Sequence, residues 1–495
     1  MRWNHSMAVI WALSLPWGAQ AADGSEWSEA LGFLDAHTVL KTADVGIHLV
    51  RVSTGETVYA HDDTKALIPA STAKVFTTAV ALRELGPAWR FETEFVSSVR
   101  PDGTGVLPGD LYLVGSGDPG FVVEDLYKLV RDLRNVGVER ISGRLLLDHS
   151  QTEAPGWIPG WDNPEDEEKG PAYYASLGAL SINFNAAEIV IAPGATSGAS
   201  ARVGLGTKAS DYLSVRNEVK TVGKGGGTSI RVVRELGDGT VTYVTKGTIE
   251  VGAKPRWRYR SVPDPTAYVA AALSDLLKGE GIAVEGGFGR GEAPDDARLL
   301  VSRSSDPLVT MLSVTNKYSS NIYAEQLLRA LGGRSGEAAS TEEGLQVIDA
   351  YLSSLGIAEE QKMLSNGSGL SRDTKVSARA LTSVLVDMAR DASLYPEFAA
   401  SLAIGGVDGT LRKRLDAEDG LLRAKTGSLD GAQSLAGYVE DADGDVYAFA
   451  FLVNGFRGSS AKVRGVQDRF VTEVFGISLR GEDMSEGLGG DVVDN

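Results

Sequence analysis

The 495-residue chain contains no cysteine, which removes disulfides, thiolate nucleophiles and cysteine-ligated zinc or iron–sulfur centres together. Histidine is nearly as scarce. The five are His5, His37, His48, His61 and His149, with no HExxH pair and none beyond position 149, so a histidine-based metal centre has little to be built from. Positive charge is short too: 48 Lys and Arg face 66 Asp and Glu, a formal charge of −18, opposite to what neutralising a phosphate backbone requires, so no nucleic-acid partner is expected. Only 17 prolines accompany 59 glycines, the signature of many turns rather than of a collagenous or Pro-rich repeat. What is present is ordinary globular material, 43% hydrophobic and 23% charged, long enough for two or three domains with real cores. Any chemistry has to come from Ser, Thr, Lys and carboxylates.

Residues 1–22, MRWNHSMAVIWALSLPWGAQAA, combine a short region with Arg2, an apolar run from Met7 to Trp17 and a small-residue Ala19-Gln20-Ala21 site. That is the pattern of a secretory signal peptide cleaved near Ala21. Pro16, Gly18 and Gln20 interrupt the apolar run too early for a membrane span, which needs about 20 residues. No later segment is long and apolar enough, so the mature form is expected to be exported without a transmembrane anchor.

From Val45 to Tyr59 the residues read as two strands around a Thr54-Gly55 turn, and Ser71 to Leu85 carries helical spacing that Gly86-Pro87 ends. Between about Phe91 and Arg260 the texture turns to short β-like runs and glycine-rich turns, among them Gly223 to Gly227 and Gly237-Asp238-Gly239, which predicts an inserted, mostly β region. Helical patterns return from Asp264. Two strands, AQSLAGYVED and VYAFAFLVNG, are joined by Ala442-Asp443-Gly444, and the stretch after Arg480 is glycine-rich and acidic, as a disordered tail is.

Ser71-Thr72-Ala73-Lys74 stands at the start of a predicted helix, where positions i and i+3 put a hydroxyl and an ammonium on one face. A serine nucleophile needs a base within hydrogen-bond reach, and lysine can serve where histidine is absent. Alone the motif says little, because a chain of this composition holds about one SxxK by chance; Ser459-Ser460-Ala461-Lys462 is a second, with flanks that read as a surface loop. The weight comes from company. Lys425-Thr426-Gly427-Ser428 is the chain's one KTG, and Ser319-Ser320-Asn321 is an SxN inside a helical pattern, preferred over Ser181-Ile182-Asn183 in the β-rich region. SxxK, SxN and KTG in that order, on helix, helix and strand, form a triple with a known mechanical meaning. Gly115 to Gly120 also matches GxGxxG, but Asp118 would set negative charge against a pyrophosphate and Pro119 removes an N–H from the cradle. His48 and His61 read as strand or surface residues.

With these motifs the chain resembles the D-alanyl-D-alanine carboxypeptidase/endopeptidases, the type-4 or class C low-molecular-mass penicillin-binding proteins. The resemblance extends over PASTAKVFTTAVAL, GDLYLVGSGDP, ALSINFN, NKYSSNIYAEQLLRALG, NGSGLSR and AKTGSLDGAQSLAGYV. It implies an α/β fold: a penicillin-binding-protein/β-lactamase-like transpeptidase domain from residues 23–92 and 261–479, a mostly β insertion over 93–260 with a nested subdomain near 190–250, and a tail over 480–495. It implies a periplasmic serine-type hydrolase acting on peptidoglycan stem peptides through an acyl-enzyme, with β-lactam antibiotics as covalent inhibitors. Ser71 is then the nucleophile and Lys74 the base, its pKa lowered by burial and by a second cation, Lys425. Ser319 relays a proton to the leaving amine, Asn321 holds a substrate amide and orients Lys74, and Lys425, Thr426, Gly427 and Ser428 line the place of the terminal carboxylate. Every role has a side chain, so no metal or organic cofactor is expected. A β-lactamase or esterase on the same fold, and a non-catalytic wall-binding protein, are the alternatives; fast penicillin turnover marks the first and failure to form a covalent adduct the second.

Overall fold

The computed structural model describes Trp27 and residues 31–475, apart from 155, 157, 159–160, 162–169, 334–337, 416–421 and 442–443. The expected signal peptide and acidic tail lie outside the described residues, and among those described no helix is long and apolar enough to cross a membrane.

The two ends of the chain meet in one six-stranded antiparallel sheet, ordered Ala403–Ile404, Leu422–Leu429, Ala432–Glu440, Val446–Asn454, Asp44–Arg51 and Glu56–His61. Alternation along Val446–Asn454 shows why it sits in the middle. Ala448, Ala450 and Leu452 join one core, while Tyr447, Phe449, Phe451 and Val453 join another, so successive side chains feed opposite faces and both faces are buried. Small residues face the layer that holds helices Lys74–Leu85 and Ala378–Arg390. The aromatic face is covered by helix Ser460–Phe475, which presents Val463, Val466, Phe470, Val471 and Val474 at helical spacing.

Helix Lys74–Leu85 runs through the interior, with nine consecutive buried residues from Lys74 to Leu82. It follows a 3₁₀ turn, Ala70–Ala73, which carries Ser71. Gly86, at φ 83°, ends the helix as expected.

The inserted part contains more helix, and reaches further, than the sequence suggests. Its five-stranded sheet is ordered Phe288–Arg290, Leu145–Asp148, Leu111–Gly115, Glu92–Ser97 and Arg298–Ser304. Helices Val123–Asn135 and Pro265–Gly279 pack on it through Leu126, Leu129, Leu133, Tyr268, Leu273 and Leu277. Residues 261–304 therefore share a sheet and a core with the insertion, not with the six-stranded sheet, and the boundary expected at Arg260 moves to about Ser304. The helical spacing after Asp264 was legible; which core it serves was not, because an amphipathic stripe does not name its partner. Three three-stranded sheets complete the region: Leu213–Val222, Val241–Glu250 and Ser229–Leu236; Arg256–Ser261, Ala186–Ala192 and Arg202–Leu205; and Ala283–Val284, Arg140–Ile141 and Val106–Leu107.

Phe470 ties the terminal helix to the sheet, with ring centroids 5.9 Å from Phe449 and 5.4 Å from Phe451. Phe470→Ala is expected to lower stability by about 3–5 kcal/mol, read as an earlier unfolding midpoint in urea.

Candidate active site

The 3₁₀ turn and the helix after it place Ser71 and Lys74 one turn apart, and Lys74 Nζ lies 3.0 Å from Ser71 Oγ. Two further contacts decide what this amine can do. Lys74 Nζ donates to Asn321 Oδ1 at 2.8 Å and to the Ser368 carbonyl at 2.7 Å, and both partners only accept. A neutral amine keeps two N–H groups, which these two acceptors take, so its lone pair is left facing Ser71 Oγ. The side chain has no exposed surface, and burial lowers its pKa to about 7, against a smaller opposing effect of the Glu325 carboxylate. Burial is the cause here. The expected second cation acts the other way round: Lys425, also fully buried, is lowered well below its usual range first by burial and then by the charge of Lys74.

Ser319 occupies the corner between helices Leu308–Lys317 and Asn321–Gly332 at φ 59°, a left-handed conformation costing roughly 1–2 kcal/mol for a non-glycine residue. The corner turns its hydroxyl toward strand Leu422–Leu429, where Lys425 Nζ donates to Ser319 Oγ at 2.9 Å and to the Thr426 carbonyl at 2.7 Å. Asn321, two residues on, faces Lys74 instead. On the strand, Gly427 lies opposite Ser434 and against the nucleophile turn. A Cβ at Gly427 would stand 2.1 Å from Ser434 Oγ, 2.5 Å from the Pro69 carbonyl and 3.0 Å from Ser71 N, so only glycine lets the strand approach this closely. Thr426 Oγ1 donates to Thr410 Oγ1 at 2.9 Å, and exposed Ser428 accepts from Gln433 Nε2 at 2.6 Å. The structure thus brings Ser71, Lys74 and Asn321 into one contact chain, Ser319 and Lys425 into a second, and lays Thr426, Gly427 and Ser428 along the strand beside both.

Sequence reasoning missed Glu325. It lies on the SxN helix one turn beyond Asn321, has no exposed surface, and accepts from Gly367 N at 3.0 Å and Ser368 N at 2.8 Å. Thr77, on the nucleophile helix, donates to the Gly367 carbonyl at 2.7 Å. Together they clamp the Asn366–Gly369 loop whose Ser368 carbonyl holds Lys74. Burial raises the Glu325 pKa, while its hydrogen bonds to Ser368 and Gly367 and the nearby Lys74 oppose that. A lone acid in the run NIYAEQLLRALG was the available signal, as was the NGSG segment, to which no role had been given.

The motifs set aside have structural explanations. Gly117 and Gly120 let the GxGxxG turn pack on the SxN helix: a Cβ at Gly120 would stand 2.7 Å from the Tyr323 hydroxyl. Ser459 takes a hydrogen bond from Ala461 N at 3.1 Å beside the start of the terminal helix, and Lys462 is exposed. His48 is buried between Thr382 and Thr57, 2.5 Å and 3.0 Å from their hydroxyls. Burial, with a smaller contribution from Arg379, lowers its pKa to about 3. Among the described residues no group of His, Asp and Glu could hold a metal ion.

The model of the D-Ala-D-Ala carboxypeptidase 3 (S13) family matches residues 32–472. Over 456 residues the chain is 32% identical to the D-alanyl-D-alanine carboxypeptidase of Actinomadura sp., covering 88% of this chain and 83% of that one. To the D-alanyl-D-alanine carboxypeptidase DacB of Haemophilus influenzae it is 28% identical over 433 residues, covering 84% and 86%. The crystal structure of penicillin binding protein 4 (dacB) from Haemophilus influenzae matches with a TM-score of 0.76 at 26% identity, covering 90% of this chain and 98% of that chain. Its complex with a β-lactam matches at 0.71 and 25%, with the same coverage.

The rate of Ser71 acylation by a β-lactam should rise with pH through about 7 as Lys74 loses its proton and level off above it; a stopped-flow pH profile measures this. Because the Glu325 charge holds the Lys74 pKa up, Glu325→Gln should move that limb to lower pH. The same change should slow acylation, since the two loop N–H groups go to different carboxylate oxygens and the carboxamide nitrogen that replaces one of them cannot accept.

Proposed function

This chain belongs to the D-Ala-D-Ala carboxypeptidase 3 (S13) family, and from that membership we propose that it is a penicillin-binding serine hydrolase cleaving D-Ala-D-Ala-type bonds of peptidoglycan peptides through an acyl-enzyme on Ser71. The observation that carries the reading is the aim of Lys74. Its two N–H groups are held by Asn321 Oδ1 and the Ser368 carbonyl, its lone pair faces Ser71 Oγ, and its pKa is near neutrality. A base poised near the working pH combines availability with driving force.

Ser71 Oγ attacks the carbonyl carbon of the penultimate D-alanine while Lys74 Nζ takes the hydroxyl proton. The oxyanion meets the backbone N–H groups of Ser71 and Ser428, the first at a helix start where the peptide dipoles favour negative charge. The C–N bond then breaks, and the leaving nitrogen takes a proton through the Ser319 hydroxyl, with Lys425 behind it. Asn321 Nδ2, its Oδ1 occupied by Lys74, offers a donor to the substrate's backbone. The terminal carboxylate approaches Lys425, Thr426 and Ser428. Burial disfavours the Lys425 cation in the free site, and an arriving carboxylate is the counter-charge that restores it. Water then attacks the ester carbonyl, its proton passing back through Ser319 to Lys425 to replace the one given to the amine, and Ser71 regains its proton from Lys74.

The leader pattern of residues 1–22 and the location of peptidoglycan support a periplasmic protein. N-terminal sequencing of the exported form should begin near Ala22.

Intact-mass spectrometry after incubation with benzylpenicillin should show one stable adduct that is absent from Ser71→Ala. Peptide cleavage by that variant should fall by about 10⁴-fold or more. An adduct surviving in Ser71→Ala would remove the nucleophile assignment, and hydrolysed penicillin with no adduct would indicate a β-lactamase.

A further inference from the structure

In the reaction above the amine departs past Ser319, and on that side the site stays open. A cavity of about 610 Å³ runs from Ser319, Ser320 and Asn321 to Phe184, Glu188 and Tyr259 of the insertion. That is the size of pockets that enclose whole ligands, roughly 300–1,000 Å³, and far more than one alanine fills.

Its far wall is built at a conformational cost. Asn183, Phe184 and Asn185 are three successive non-glycine residues in the left-handed region, at φ 52°, 57° and 48°, a run that persists only where the surroundings dictate it. Both asparagines are pinned. Asn183 Oδ1 accepts from Val123 N at 3.0 Å and its Nδ2 donates to Thr207 Oγ1 at 2.7 Å. Asn185 Nδ2 donates to the Ser176 and Val262 carbonyls. Between them Phe184 stands 45% exposed over the cavity, its ring 6.2 Å from that of Tyr323. The Ser181-Ile182-Asn183 motif, passed over as a catalytic SxN, is the mount for this ring.

The chemistry of the lining is specific. Tyr173, Phe184, Tyr259 and Tyr318 are all large aromatics with 45–71% exposure. The charged lining residues are Glu124 and Glu188, and the described lining contains no Lys, Arg or His. Glu188 Oε2 accepts from the Tyr259 hydroxyl at 3.0 Å, which points the carboxylate and an aromatic face at the same space. Aromatic faces beside carboxylates suit a cation.

We propose that this cavity is a leaving-group subsite, with Phe184, Tyr318 and Glu188 as specificity-determining residues, and that it favours leaving groups bearing an amino-group cation, as a diamino acid joined through only one of its nitrogens does, over alanine or acidic ones. The proposal rests on the acyl-enzyme reading and gives the insertion a part in choosing the substrate. It predicts an order among diacetyl-L-lysyl-D-alanyl-D-X peptides, with kcat/KM for D-lysine release about tenfold or more above that for D-alanine, and D-glutamate release slowest.

The test measures kcat/KM for X = D-Ala, D-Lys and D-Glu with the full chain and with Glu188→Gln, Phe184→Ala and Phe184→Leu. The D-Lys to D-Ala ratio should fall about fivefold or more in Glu188→Gln and in whichever Phe184 variant folds. Equal rates for all three peptides in the wild type, or variants that slow D-Lys and D-Ala release alike, would overturn the subsite. Failure of the wild type to form a penicillin adduct would overturn the acyl-enzyme reading instead.

Discussion

Two lysine side chains without contact to water lie at the centre of this molecule, and the structure around them follows from what burial does to an ammonium group. Desolvation disfavours the charged form, so the Lys74 pKa falls to about 7, which requires that it be held deep in the core. Helix Lys74–Leu85 meets that condition, since its first residues are buried with the rest. Burial also demands partners for the remaining N–H groups. Asn321 and the Ser368 carbonyl supply them, and Glu325 and Thr77 fix the loop that presents the second. The hydrophobic core is therefore part of the proposed active site, because burial in it is what lowers the Lys74 pKa.

The same constraint governs the sheet. Lys425 must be buried on a strand and still reach Ser319, 106 positions earlier in the chain. The strand therefore presses against the nucleophile turn, and Gly427 is the point where backbone meets backbone without room for a methyl group. Ser434 on the neighbouring strand completes the contact through the Pro69 carbonyl. The alternation of small and aromatic residues in the central strand then lets one face take helices Lys74–Leu85 and Ala378–Arg390 and the other the terminal helix.

The insertion reaches the site from the opposite side. Its glycine-rich turn at Gly115–Gly120 packs on the helix that carries Asn321, and the Tyr173 carbonyl lies 3.5 Å from Asn321 Nδ2. Helix Pro265–Gly279 and the strands up to Ser304 belong to this body, so the chain crosses back to the six-stranded sheet later than its composition suggested.

Some of this could be read directly from the residues. SxxK on a helix places hydroxyl and amine together by local geometry alone, the turn residues between the two C-terminal strands mark them as a hairpin, and Gly86-Pro87 and Thr54-Gly55 end and turn their elements, because backbone preference and side-chain period are short-range properties. The order of the three motifs indicated a shared site. What the residues alone left open is set by contacts across 247 and 294 positions, those of Lys74 with Asn321 and with Ser368. No local pattern encodes which distant acceptor a buried amine finds, whether its pKa falls through burial or through a neighbouring cation, or that an acid four residues past Asn321 holds a loop. The same holds for Asn183, whose SxN spacing matched a catalytic motif while its packing made it a support. Spacing decides which side chains share a face, and tertiary packing decides which faces meet, how dry the space between them is, and so which groups can carry a proton there.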